Sequence, residues 1–219
     1  MRECRGLIFD LDGVLVHTDR YHFLAWKAIA DRLGLPFDET VNDRLRGVSR
    51  MESLAILLKG CPGRLPDAAE RERLAEEKNR LYRQYLKGLT PADVGDGTRQ
   101  TLACLRERGY RLAVGSSSKN ARLILEAAGL TDAFDAIADG TDITRSKPDP
   151  EVFLCAAKRL GLQPAECAAV EDAAAGITAA KMCGMLAVGI GPAAEDARVD
   201  LRLGRLTDLT AAFPGPEVP

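Results

Sequence analysis

The chain has 219 residues, 46% of them hydrophobic and 28% charged, which is the composition of an ordinary globular protein. Its formal net charge is −2 and its Lys and Arg residues are scattered, so the sequence argues against nucleic acid as a partner. The first apolar run, GLIF at 6–9, is too short for a secretion signal or a membrane span, and we expect a cytoplasmic protein without a membrane partner.

The cysteines are widely spaced along the chain and form no C-x-x-C pair. Most of them lie in apolar segments such as LACLRERG and FLCAAKRLG. For a cytoplasmic protein this pattern predicts reduced thiols in the core rather than disulfides. The residues concerned are Cys4, Cys61, Cys104, Cys155, Cys167 and Cys183.

The first predicted element is a buried strand, GLIF at 6–9, and a long segment with helical periodicity follows it. From residue 18 to about 90 no stretch is convincing as a strand. We therefore predict an all-helical insertion at 16–91 and a core formed by 1–15 and 92–219.

Two polar side chains fall on the apolar faces of helices in this insertion. His22 shares a face with Trp26 and Ile29, at the spacing i, i+4, i+7, and Lys78 interrupts a similar stripe in ERLAEEKNRLYRQYL. Each has an ordinary explanation, a histidine satisfied in the core or a lysine that reaches solvent. The occurrence of one such residue in each of two helices favours a functional role.

Further strands are predicted after the insertion, each apolar throughout and separated from the next by helical patterns. They are RLAVGS at 111–116, DAIAD at 135–139, CAAVED at 167–172 and MLAVGIG at 185–191. Such runs suit strands buried on both faces, and alternation with helices predicts a parallel sheet in an α/β fold. One helix is expected to begin near Ala121, and another to have Asp149 as N-cap, Pro150 as N1 and Gly161 as its end.

Polar residues collect where these strands end, the edge at which open parallel sheets bind ligands. They are Asp10 and Asp12, SSSKN at 116–120, SKP at 146–148, and Glu171 with Asp172. The acidic groups would repel one another without a cation, and Mg²⁺ suits carboxylates combined with phosphate oxygens. Hydroxyls and free N–H groups at 116–120 would bind an anion, and Lys147 would neutralise a phosphoryl group. An ordinary serine N-cap and a solvated loop lysine are the alternatives.

The two aspartates after the first strand have distinct predicted roles. Asp10, nearest the strand end, is positioned to attack phosphorus and form an aspartyl phosphate. Asp12 is placed to donate a proton to the leaving oxygen and to accept one from an attacking hydroxyl. A lone D-x-D is weak evidence, but D-x-D-G followed in order by S-S-S-K, K-P and E-D is a strong signal.

These motifs resemble those of the haloacid dehalogenase superfamily of phosphotransferases, in the group with a helical cap inserted after the first strand. The resemblance spans nearly the whole chain, in FDLDGV at 9–14, YHFLAWKAIA at 21–30, LRGVSR at 45–50, EKN at 77–79, LTPADV at 89–94, SSSKN, FDAIAD at 134–139, SKPDP and EDAAAGI at 171–177. It implies a doubly wound, Rossmann-like parallel sheet core with an inserted all-α helical cap domain.

The resemblance also implies an activity. We expect a mutase that interconverts β-D-glucose 1-phosphate and glucose 6-phosphate through a 1,6-bisphosphate, with Mg²⁺ as cofactor. A sugar-phosphate phosphatase with the same aspartyl-phosphate chemistry is the alternative, and a non-catalytic binding protein on this scaffold is a third possibility. A monomer acting on a small sugar phosphate is expected.

Carried over residue by residue, the resemblance makes Asp10 the nucleophile and Asp12 the general acid and base. Magnesium would be held by the Asp10 carboxylate, the Asp12 backbone carbonyl and Asp172, with Glu171 beside them, while Ser116 and Lys147 would bind the transferring phosphoryl group. The substrate-binding residues implied are Thr18, His22, Trp26, Gly47, Val48, Ser49, Arg50, Ser53, Lys78, Ser117, Ser118, Lys119 and Asn120.

Three positions depart from the family pattern. His17 stands where relatives usually carry an acid, Ser117 where alanine is common, and Ala173 where serine is more usual. None is a nucleophile, acid/base or metal ligand, so the departures bear on preference and rate. The sequence assigns His17 no role.

Overall fold

A parallel sheet of six strands forms the centre of the described part of the chain. The computed structural model describes residues 4–61, 65–95 and 97–215. The strands are β1 (Gly6–Phe9), β2 (Arg111–Gly115), β3 (Ala136–Ala138), β4 (Cys167–Glu171), β5 (Leu186–Ile190) and β6 (Leu201–Leu203). They lie in the order β3-β2-β1-β4-β5-β6, and every neighbouring pair is parallel. The predicted α/β fold with a doubly wound sheet is confirmed.

The sheet is covered by helices on both faces because its strands are apolar throughout. Leu7 and Phe9 pack on one face with α5 (Thr98–Glu107), α6 (Ala121–Ala127) and α9 (Leu209–Ala212). Ile8, between them in the strand, packs on the opposite face with α7 (Glu151–Leu160) and α8 (Ala174–Met182). This alternation follows from the two-residue period of a strand.

A helical cap lies between β1 and β2 in the chain. It contains α1 (Asp19–Arg32), α2 (Glu39–Asp43), α3 (Arg50–Leu58) and α4 (Ala68–Leu86), which share an apolar core of their own around Trp26 and Leu54. The chain leaving β1 and the chain returning to the core run side by side, joined by a bridge between Val16 and Val94. The boundaries 16–91 stay a prediction.

Two sequence predictions need correction in detail. The strand β6 was not expected, because its segment, LRL, is partly exposed and alternates rather than forming an apolar run. The N-cap of α7 is Pro150 rather than Asp149, so the helix begins one residue later than predicted. The Asp149 carboxylate still accepts a hydrogen bond from the Glu151 N–H at 3.0 Å, and Gly161, with φ +68°, ends the helix as expected.

The six cysteines are free thiols, as predicted. Their expected place in the core holds for Cys167, while the other five are partly exposed. Burial raises the pKa of the Cys4 thiol to about 11 and that of Cys167 to about 12, so both stay protonated near neutral pH. Among the described helices, none has the length and apolarity needed to cross a membrane.

The sheet order places a crevice between β1 and β4. The chain moves outward from β1 through β2 to β3, and then builds β4, β5 and β6 on the other side of β1. At such a reversal the loops after two neighbouring strands diverge and leave room for a ligand. Asp10 directly follows β1, and Glu171 ends β4, so both carboxylates stand at this crevice.

Candidate active site

Three buried carboxylates and one buried ammonium meet at the crevice. Oxygens of Asp10, Glu171 and Asp172 all lie within 4.8 Å of one another. The Lys147 Nζ is 2.5 Å from Oδ1 of Asp10 and 2.5 Å from Oε1 of Glu171. Burial alone would lower the pKa of Lys147, but the two carboxylates outweigh it and raise that pKa. The lysine is therefore charged and neutralises part of the acidic cluster.

The remaining negative charge fits a divalent cation. Glu171 is fully buried, and among the described residues its carboxylate has the Lys147 ammonium as its ion-pair partner. Burial, reinforced by Asp10, raises the pKa of Glu171 to about 8 and that of Asp172 to about 7. Buried carboxylate oxygens of this kind suit Mg²⁺. Asp12 as a backbone ligand stays a prediction.

Two glycines make room for these carboxylates. Gly13 has φ +88°, and a Cβ at this position would lie 2.1 Å from Oδ2 of Asp172. A Cβ on Gly176 would lie 1.9 Å from Cδ of Glu171. The turn after β1 and the first turn of α8 are therefore shaped around the acidic cluster.

Asp12 is held by groups from the cap rather than by the acidic cluster. Its Oδ1 accepts hydrogen bonds from the Thr18 hydroxyl and, at 3.5 Å, from the Tyr82 hydroxyl, and His22 Nε2 lies 3.8 Å away. Burial would raise the pKa of Asp12, but His22 and Thr18 outweigh it and lower that pKa. Asp12 is thus a carboxylate, able to accept a proton.

Lys78 connects the cap to this aspartate through a histidine. Its Nζ is 2.8 Å from Nδ1 of His22 and lies over the rings of Trp26 and Tyr82, 5.1 and 4.6 Å from their centroids. Burial, and then repulsion from Arg50, lowers the pKa of Lys78 to about 7. Burial and Lys78 in turn lower the pKa of His22. Both polar residues on the apolar helix faces therefore converge on Asp12.

The loop after β2 presents hydroxyls and amides to the crevice. The Ser116 Oγ accepts a hydrogen bond from the Ser118 N–H at 3.1 Å, and the Ser117 Oγ accepts one from the Lys147 N–H at 3.3 Å. The helix α6 begins at Ala121 as predicted, and its N-cap is Asn120 rather than a serine. The Asn120 side chain donates to Oδ1 of Asn79 in the cap at 2.9 Å. None of the three serines is the N-cap of α6, although the Ser118 Oγ accepts a hydrogen bond from the Asn120 N–H at 3.2 Å.

On the cap side, the segment before α3 lies against the core. A Cβ on Gly47, whose φ is +73°, would lie 3.1 Å from the Cβ of Ala173, one of the positions that depart from the family pattern. Ser49 is the N-cap of α3, and its capping partner Glu52 also accepts a hydrogen bond from the Ser146 hydroxyl of the core. Arg50 has no hydrogen bond or ion pair among the described residues, and burial lowers its pKa while the charge of Glu76 raises it. It is a cation available to a ligand.

These groups surround one cavity of about 890 Å³ between cap and core. Most predicted site residues line it: Asp10, Asp12, His22, Trp26, Gly47, Val48, Ser49, Arg50, Ser53, Lys78, Ser116, Ser117, Ser118, Lys119, Asn120 and Asp172. Thr18, Lys147 and Glu171 are fully buried and do not line it. Thr18 contacts Asp12, so its predicted contact with substrate is indirect in this geometry.

Sequence reasoning missed several residues of the site. Arg46 Nη2 lies 2.5 Å from Oδ2 of Asp19 and 3.2 Å from Oδ2 of Asp172. Tyr82, one turn after Lys78 on α4, could have been found from the i, i+4 spacing. Arg46 gave no such signal, because its two closest partners, Asp19 and Asp172, are distant in sequence.

Comparisons with known proteins identify the family to which the chain is similar. Residues 4–184 match the family model described as haloacid dehalogenase-like hydrolase. The chain is 44% identical to a β-phosphoglucomutase of Bacillus subtilis, over 94% of this chain and 92% of the relative. It is 30% identical to a phosphorylated carbohydrates phosphatase of Thermotoga maritima, over 91% of each chain.

A solved structure extends the agreement to the fold. The crystal structure of a β-phosphoglucomutase from Clostridium difficile matches with a TM-score of 0.87 and 35% identity, over 94% of this chain and 93% of that one. This match in fold is consistent with the family that the family model identifies. The chain belongs to the haloacid dehalogenase-like hydrolase family.

Proposed function

We propose that this protein is a magnesium-dependent β-phosphoglucomutase, which interconverts β-D-glucose 1-phosphate and glucose 6-phosphate through an aspartyl phosphate and a β-glucose 1,6-bisphosphate. The observation that carries the proposal is the contact from Lys78 through His22 to Asp12, which links the cap to the acid/base group of the core. The identity to the Bacillus subtilis enzyme supports it. A cytoplasmic, monomeric protein remains part of the proposal.

A bisphosphate intermediate needs two anion sites in one cavity. The N–H groups of Ser116, Ser118 and Asn120 already donate hydrogen bonds within the chain. The core wall therefore offers the serine hydroxyls and the N–H groups of Ser117 and Lys119 beside Asp10. The cap wall offers Arg50, Lys78 and Ser49, whose hydroxyl also donates to Glu52 at 2.9 Å. A hexose carrying a phosphate at each end would satisfy both walls, and turning it round would exchange the two phosphates between them.

Asp10 is proposed as the nucleophile. Lys147 holds its Oδ1, so the second carboxylate oxygen is the one we expect to attack phosphorus. In that step the new bond joins the Asp10 oxygen to phosphorus, and the bond from phosphorus to the sugar oxygen breaks. Lys147, Ser116 and the 116–120 loop would stabilise negative charge on the transferring phosphoryl group.

Asp12 is proposed as the general acid and base. As a carboxylate it accepts the proton of the attacking sugar hydroxyl, whose oxygen then takes the phosphoryl group from Asp10. In the reverse direction the same carboxyl returns the proton to the leaving sugar oxygen. His22 and Thr18 hold its Oδ1 and fix its position while the proton moves.

The proposed metal site consists of Asp10, Asp172 and the Asp12 carbonyl, with Glu171 beside them. When bound, Mg²⁺ would supply positive charge to the phosphoryl oxygens. Lys147 already balances part of the acidic charge and keeps Asp10 in place for the ion.

The alternative function is a sugar-phosphate phosphatase with the same aspartyl-phosphate chemistry. The relative from Thermotoga maritima, named a phosphatase, keeps this alternative open. The difference lies in the cap, because an aspartyl phosphate is hydrolysed if water reaches it.

The proposal is tested by incubating the protein with β-D-glucose 1-phosphate, Mg²⁺ and a catalytic amount of the bisphosphate, and following glucose 6-phosphate. The Asp10→Asn variant sets the background. Product formation well above this background is expected, and its absence would sink the proposal.

A further inference from the structure

A second cavity, of about 440 Å³, lies beside the connection between core and cap. It is lined by His17, Arg46, Asp172, Pro192, Arg205 and Thr207, among others. His17, Pro192 and Arg205 are exposed, so the cavity opens to solvent. None of the roles derived above uses it.

The two cavities share one wall. Among the described residues, only Arg46 and Asp172 line both of them. These two side chains form an ion pair, with Nη2 of Arg46 3.2 Å from Oδ2 of Asp172. The ion pair therefore lies in the partition between the second cavity and the cavity that is lined by Asp10.

Arg46 is held in this partition from the cap side. Its Nη2 lies 2.5 Å from Oδ2 of Asp19 at the start of α1, and its Nη1 lies 3.8 Å from Oδ1 of Asp43. The following residue, Gly47, lies against Ala173 of the core. Three carboxylates around one planar guanidinium fix its orientation better than a single ion pair does.

We infer that Arg46 is a positioning residue that closes the rear of the phosphoryl site to water. The inference rests on the proposed aspartyl-phosphate chemistry. In the reaction that Arg46 suppresses, a water oxygen bonds to phosphorus, the bond from phosphorus to the Asp10 oxygen breaks, inorganic phosphate leaves and the water proton is released. A mutase needs this suppression, because each hydrolysed aspartyl phosphate is lost to isomerisation.

The test measures how long the phosphorylated enzyme lasts. The full chain is phosphorylated with acetyl phosphate and Mg²⁺, the donor is removed, and the phosphorylated fraction is followed by intact-protein mass spectrometry. Arg46→Ala is expected to shorten the half-life at least about threefold, since an opened path admits water. Arg46→Lys, which keeps the charge but cannot bridge Asp19 and Asp172 as a planar fork, is expected to shorten it less.

Arg205→Ala is the matched control. Arg205 lines only the second cavity and pairs with Asp208 at 3.2 Å, away from Asp172. The phosphorylated form of Arg205→Ala should have the same half-life as that of the wild type. Equal half-lives in the wild type and both Arg46 variants, or equal shortening by Arg205→Ala, would overturn the inference. If Arg46→Ala does not fold, Arg46→Lys decides.

The same experiment separates the inference from the proposed function. If the half-life is unchanged in the Arg46 variants and the wild type isomerises glucose phosphates, only the role of Arg46 is refuted. A shortened half-life in a protein that only releases phosphate supports the role of Arg46 and removes the mutase. A wild type that never becomes phosphorylated overturns both.

Discussion

The Nζ of Lys78 lies 2.8 Å from Nδ1 of His22, although both residues interrupt apolar helix faces. The other nitrogen of the same ring is 3.8 Å from Oδ1 of Asp12. His22 of α1 therefore lies between Lys78 of α4 and Asp12, the proposed acid/base group of the core. We therefore expect a ligand that binds Lys78 in the cap to affect Asp12 through His22.

Lys78→Ala and Arg50→Ala should separate sugar-phosphate turnover from simple phosphate-ester cleavage. Both residues line the cap wall, where they would bind the distal part of the sugar phosphate. We expect a loss of about 100-fold or more in mutase turnover and of less than about fivefold in cleavage of a small aryl phosphate. Equal losses in the two assays would mean that specificity lies elsewhere.

Lys78→Met should stabilise the protein, most strongly at low pH. The folded-state pKa of about 7 lies below the ordinary value of 10.5, so folding disfavours the charged lysine. The wild type therefore gains stability as pH rises from about 7 to 10.5. The variant lacks this titrating group, so its stability does not include that pH-dependent contribution. We expect an increase of about 2–4 °C or more in Tm at pH 6, shrinking towards pH 10. A difference in Tm that is negative or independent of pH would contradict this.

The stabilisation by Mg²⁺ should increase with pH. The pKa values of about 8 for Glu171 and about 7 for Asp172 exceed their ordinary values of 4.5 and 3.8. Without metal, the stability that these protonated groups contribute is full below about pH 4 and is lost as pH rises through 7 and 8. Binding of Mg²⁺ offsets that loss, because it needs the charged carboxylates.

Thermal unfolding with and without Mg²⁺ measures this effect. The Tm increase on adding Mg²⁺ should be larger at pH 8.5 than at pH 6, and Asp172→Asn should reduce it at both. An increase that is equal at the two pH values would show that these carboxyl groups do not titrate as described.

Gly13→Ala should abolish Mg²⁺ binding, in addition to the stability that it loses through backbone strain. A Cβ at Gly13 would lie 2.1 Å from the Asp172 carboxylate, whereas one at Gly184, which also has a positive φ of +76°, would meet no described atom within 4 Å. Both alanine variants should lose about 1–3 kcal/mol of unfolding free energy. Only Gly13→Ala should lose Mg²⁺ binding in titration calorimetry, and equal binding in the two variants would refute the steric argument.

The fold was predictable because its signals are local. Apolar runs such as GLIF and CAAVE need two covered faces, and their alternation with helical segments predicts a parallel sheet. The edge strand β6 lacked that signal, since it is short and partly exposed. The start of α7 was one residue off, because Asp149 accepts the same kind of hydrogen bond from just outside the helix.

The site was predictable where the sheet itself brings residues together. Asp10, Ser116 and Asp172 follow strands that are neighbours in a parallel sheet, so their meeting follows from topology. Arg46 could not be found in this way, because its position depends on how the cap sits against residues 172 and 173. Such contacts between two packed bodies have no periodicity in either segment.

The most direct test of the central proposal is the ratio of glucose 6-phosphate formed to inorganic phosphate released, measured in one reaction with β-D-glucose 1-phosphate, Mg²⁺ and catalytic bisphosphate. A cap that excludes water from phosphorylated Asp10 predicts a ratio well above one, with both products lost in Asp10→Asn. Phosphate release that outpaces isomerisation would contradict the proposal and identify a phosphatase.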